Sequence, residues 1–128
     1  MDRQVFVDRL LETENLTDSL EDDDANSLLN WGVKQIDGLI EGVEDHDAAG
    51  EKVNGLMHVM RGLNSLAGDP KSISHEGLAD LLNRYTQIVG GTTQVEENER
   101  RLVAEKIASM QPGDAIRYLT EWLQSKKA

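Results

Sequence analysis

The spacing of apolar residues between positions 24 and 43 narrows the fold sharply. Ala25, Leu28, Leu29, Gly32, Val33, Ile36, Leu39, Ile40 and Val43 recur at intervals of three and four. That spacing puts side chains on one face of a helix, whereas a strand would need strict alternation. The same period returns elsewhere. Phe6, Val7, Leu10 and Leu11 predict a short helix over about 2–13. Ala49, Val53, Leu56, Met57, Met60, Leu63 and Ala67 predict another over 47–67. Leu78, Leu81, Leu82, Tyr85, Ile88 and Val89 mark 75–89, and further helices are expected over 94–110 and 115–126. No stretch alternates with β-branched enrichment. The chain is therefore expected to be all-α, a bundle of five or six helices.

Start and stop signals refine these bounds. Residues 14–24 are turn-rich and acidic, and Asp22, Asp23 and Asp24 are placed to cap the second helix and to favour its dipole. Gly68-Asp69-Pro70 and Gly90-Gly91 end helices. Ser72 or Ser74 opens the fourth. Thr93-Gln94-Val95-Glu96 fits a capping box for the fifth, and Asp114 is placed as the cap of the sixth. A chain of 128 residues buries roughly two thirds of its unfolded surface. One domain over 1–128 is expected, with a weak subdomain boundary near 68–74. The first helix is expected to be the most loosely attached element.

Glycine inside a helix costs up to about 1 kcal/mol relative to alanine, so its positions carry information. Gly38 and Gly42 are spaced G-x-x-x-G on one side of the second helix. On the third, Gly55, Val59, Gly62 and Leu66 share one side at the spacing of a packing seam. Helices 2 and 3 are expected to form an antiparallel hairpin with these glycine faces in contact. A homodimer seam built from the same residues is the competing use.

Charge divides the chain. Residues 1–50 hold 14 Asp/Glu against 3 Lys/Arg, and residues 51–128 hold 10 of each, so the formal charge of −11 lies in the first half. Such a field selects partners by sign and opposes nucleic acid and anionic membranes, which need basic surfaces. A basic protein partner is expected to dock at Asp22, Asp23, Asp24, Glu44, Asp45 and Asp47. The rival is that these charges serve solubility alone. Ala115, Tyr118 and Trp122 form a second apolar face on the sixth helix, and aromatics are favoured interface anchors. Tyr118/Trp122 and Gly55/Val59/Gly62/Leu66 are thus the candidate faces for a dimer.

Catalytic signatures are scarce. There is no cysteine, which excludes disulfides, thiolate metal sites and a cysteine nucleophile. No leader-like segment and no apolar run of about 18–20 residues is present, and a cytoplasmic protein is expected. Val43, Gly55 and Ser72 stand three before His46, His58 and His75, so the Glu-x-x-His pairs of di-metal bundles are missing. Acidic segments starting at Asp22 and Asp45 faintly resemble a calcium loop. Their twelfth positions are Val33 and Leu56, without the closing carboxylate. Phosphate-binding glycine loops and nucleophile elbows are absent. No metal or cofactor is expected. Glu99 and Lys106 drift toward the apolar stripe of the fifth helix, either with solvated heads or as a buried lysine site. Residues 73–82 loosely resemble the first helix of a helix-turn-helix, but its reading helix would open with Glu96, Glu97 and Glu99, the wrong sign for DNA. The expected function is a non-enzymatic interaction or adaptor module. The alternative is a ligand-binding or enzymatic bundle with a deep polar pocket.

Overall fold

Residues 46–68 carry apolar side chains over about half of the helical circumference, more than one neighbour can cover, so this helix must have several. In the structure, a computed structural model that describes residues 2–128, it does. The elements are α1 (Arg3–Glu12), α2 (Asp22–Ile40), α3 (His46–Gly68), a 3-10 turn (Pro70–Ser72), α4 (His75–Val89), α5 (Glu97–Ala108) and α6 (Pro112–Gln124). Among the described residues there is no strand. Over the described residues the chain is an all-helical bundle of six helices. α1, α2, α4 and α6 all pack against α3, and α5 lies on α4 and the 3-10 turn. The buried apolar residues form one cluster from Phe6 to Leu123.

The second and third helices do pair, but not through the predicted glycines. Ser19, just ahead of α2, lies against Gly68 at the end of α3, while Gly32 lies against Met60 and Leu10. The two helices therefore run antiparallel, with Gly32 as the point of close approach. Gly38 faces open space, and Gly42 falls beyond the end of α2 with φ +74°. The third-helix seam points at α4 instead. Gly55 faces Ile88, Gly62 faces Leu81, and Leu66 packs on Gly77. Positions rise along α3 as they fall along α4, which is an antiparallel ridge-in-groove fit. Val59, in the middle of that seam, is fully buried. This face, one of the two expected for a dimer, packs against α4 within the chain.

The first helix is not a loose arm. Phe6 and Leu10 are inaccessible to solvent, and the following loop buries Leu16. That loop is fastened by Asn64 of α3, itself buried. Its Oδ1 accepts the Ser19 N–H at 3.0 Å, and its Nδ2 donates to Asp18 Oδ1 at 2.7 Å. Asn15 takes φ +69° in the same turn, a conformation asparagine tolerates better than most residues.

Helix starts follow capping chemistry with three departures. Asp2, Asp45 and Ser74 accept backbone N–H groups of Gln4, Asp47 and Gly77. However, α2 begins two residues earlier than predicted, with Glu21 at the cap and no side-chain cap bond. The three aspartates fill its first turn, so dipole attraction rather than capping is their local contribution. The capping box before α5 does not close: the helix starts at Glu97, and Thr92 instead accepts from Gln94 N–H at 3.1 Å. α6 starts at Pro112, which has no N–H to leave unpaired. Asp114 therefore sits inside the first turn and pairs with Arg117 at 3.1 Å.

Two substitutions separate the glycine roles. Gly38→Ala adds a methyl into open space and should stabilise by about 0.5–1 kcal/mol. Gly55→Ala drives a methyl into the stiff β-branched Ile88 and should give a net loss, overpacking costing about 1–3 kcal/mol. Asn64→Ala removes two hydrogen bonds to the Asp18–Ser19 segment, each worth about 0.5–1.5 kcal/mol, and should cost about 1–3 kcal/mol. Urea denaturation measures all three.

Candidate functional site: the groove between α2 and α6

The predicted acidic residues separate into distinct places. Asp22 and Asp23 are exposed on the first turn of α2. Asp24 turns inward, and its carboxylate abuts Gly113 in the first turn of α6. A negative charge is favoured at that helix N-terminus, where Gln111 supplies no side-chain cap. Glu44, Asp45 and Asp47 lie at the other end of α2, whose 19 residues span about 28 Å. The two clusters therefore do not form one local site. Asp45 is also committed to capping α3. The exposed Asp8, Glu12, Glu14 and Asp18 extend the acidic surface along α1 and its loop.

Within residues 1–50, Asp37 is the one carboxylate that forms an ion pair among the described residues. Its partner is Arg3, whose guanidinium it holds more firmly protonated by hydrogen bonding and charge. Arg9 donates to Asn54 rather than to a carboxylate. Among the described residues no three His, Asp or Glu side chains gather as a metal site. The His46 ring stacks on Phe6 with centroids 5.1 Å apart.

The aromatic face of α6 is largely interior. Trp122 is only 8% exposed, and Tyr118 is half-buried. Neither presents an open anchor, because α5 lies alongside. Their remaining edges line a shallow recess with Leu102 and Lys106. The Lys106 ammonium lies 5.7 Å from the Tyr118 ring centre, within cation–π range. Lys106 is exposed, so it is no buried lysine site. Glu99 instead bonds Lys126 at 2.8 Å.

The structure also contains a larger concavity. It lies between α2 and α6, with a volume of about 960 Å³. Ser27, Asn30, Trp31 and Lys34 form one wall, and Gly113, Ile116, Arg117 and Thr120 form the other. Both sets follow the spacing i, i+3, i+4, i+7, which is one face of a helix over two turns. Glu21 and Asp24 stand at the end where both helices begin. The signal was present in the sequence as a mainly polar stripe on α2 beside its apolar one. Only the packing of α6 against α2 turns it into a groove.

Trp31 also touches the core, its ring centre 6.3 Å from that of Tyr85 on α4. The Tyr85 side chain is fully buried, and its hydroxyl has no partner. Burial pushes that hydroxyl above its usual pKa of 10.0. Comparisons with family models, with curated proteins and with solved structures give no match. Among the described residues, no helix is long and apolar enough to cross a membrane.

Two measurements test this placement. Trp122→Ala should cost about 3–5 kcal/mol of stability, as a core truncation does. For Tyr85, the folded-state pKa lies above the unfolded one. Its contribution is therefore fully present below about pH 10 and is lost as pH rises through the folded value. Tyr85→Phe should remove that alkaline loss in pH-dependent melts. At neutral pH it should match or exceed the parent stability, since it deletes an unpaired buried hydroxyl.

Proposed function

We propose that the chain is a protein-interaction module whose acidic side docks a basic protein partner. The observation that carries this reading is the lack of internal compensation. The exposed carboxylates along α1, its loop, α2 and the turn before α3 have, Asp37 apart, no ion-pair partner among the described residues. By contrast, α4, α5 and α6 each carry an ion pair of their own or with a neighbour. Unpaired surface charge of one sign raises encounter rates with an oppositely charged partner and orients its approach. The reading is an adaptor-like role, with no substrate assigned.

The aspartates at the start of α2 provide the test, provided Asp24 is left intact, because it contacts α6. Asp22→Asn with Asp23→Asn keeps the size and polarity of both side chains and removes two charges. Association with a lysine-rich helical probe peptide, followed by stopped-flow fluorescence, should slow in this variant. Its dependence on salt should also flatten. An unchanged rate and an unchanged salt slope would leave the acidity as a solubility feature.

A further inference from the structure

We propose that the groove between α2 and α6 seats one helix of the protein partner, lying antiparallel to both walls, acidic in its first turn and basic in its last. The proposal deepens the docking reading and rests on it.

The shape argument comes first. Asp24 beside Gly113 makes α2 and α6 start side by side. From there the lining residues advance together, Ser27 to Lys34 on one helix and Gly113 to Thr120 on the other. Two neighbouring helices with matching two-turn faces create the trough into which a third helix packs in bundles and in helix-in-groove recognition. The volume of about 960 Å³ reaches the top of the range for small-molecule pockets, about 300–1,000 Å³. The trough is open rather than enclosed, which suits a rod better than a small ligand.

Charge order selects the direction. Glu21 and Asp24 mark the end where α2 and α6 begin, and Lys34 marks the far end. Arg117, between them, is answered by Asp114 of its own helix. A helix favours carboxylates in its first turn and cations in its last, because of its macrodipole. Laid antiparallel, such a helix brings its basic last turn to Glu21 and Asp24 and its acidic first turn to Lys34. Laid parallel, it meets like charge at both ends. The part-exposed Trp31, seated over the buried Ile116, gives the middle of the trough its apolar surface, which suits one aromatic or branched aliphatic anchor on the incoming helix.

Selection from a displayed library of helical peptides about four turns long, roughly 14 residues, tests this on the intact chain. The expected winners carry Asp/Glu first, an apolar anchor centrally and Lys/Arg last. Their amide shift changes should follow residues 27–34 and 113–120. Lys34→Glu and Asn30→Trp alter exposed positions and should leave the thermal melt unchanged, while each weakens the winners about tenfold or more. A peptide whose first turn is changed to lysine should regain affinity for the Lys34→Glu chain. The assignment is overturned by a selection without binders, by winners lacking the charge order, or by winners that bind both variants as tightly as the parent. In that last case, weaker binding to the Asp22→Asn, Asp23→Asn chain would uphold the docking reading while the groove assignment fell. Light scattering adds a further arm: self-association abolished by Lys34→Glu would give the groove to a second copy and overturn the proposal.

Discussion

The need to enclose α3 organises the molecule. Ala49, Val53, Leu56, Met57, Val59, Met60, Leu63 and Ala67 are all buried, and no single neighbour can cover so broad a surface. α2 takes one side through Gly32 and Met60, and α4 takes another through the Gly55–Gly62–Leu66 seam. α1 and α6 close the remainder. Small residues stand where backbones must come close, and larger ones fill the space between. The groove is a by-product of this arrangement. α2 and α6 each commit one face to α3 and meet each other at their first turns. Their outward stripes are left side by side.

Periodicity made the helices legible, since spacing alone decides which residues share a face. It could not decide which helix each face meets. Gly55, Gly62 and Leu66 share one face of α3, and in the structure that face meets α4. α3 follows α2 and precedes α4 by short connections alike, so adjacency in sequence does not choose between them. The Gly38/Gly42 pair misled because its second member lies past the helix end, where φ +74° suits glycine for a reason unrelated to packing. Trp122 is a matter of coverage: its face is apolar either way, and only the tertiary packing decides that it is buried. The groove was hidden for the complementary reason. Ser27, Asn30 and Lys34 look like an ordinary solvated face until another helix lies beside them.

The acidic half is less uniform than its net charge implies. Asp2 and Asp45 cap helices, Asp24 faces the start of α6, Asp18 holds Asn64, and Asp37 holds Arg3. Each of these carboxylates has a structural task, so removing it would confuse recognition with stability. Asp22 and Asp23 have no such side-chain contact beyond their place in the first turn of α2. A field of one sign is therefore built from charges of two kinds, some fastened to the fold and others free to meet another molecule.

The Asn64 clasp has a kinetic meaning as well. It joins α3 to a loop 45 residues earlier in the chain, whereas α3 and α4 are linked through one short turn. Closing the longer loop costs more chain entropy, and local contacts are gained sooner during folding. The α3–α4 hairpin is then the natural nucleus, with α1 and its loop locking on afterwards. An interaction made after the transition state acts chiefly on the rate of unfolding. Asn64 is in that sense a latch: it does little to hasten the bundle's formation and much to determine how long it stays shut.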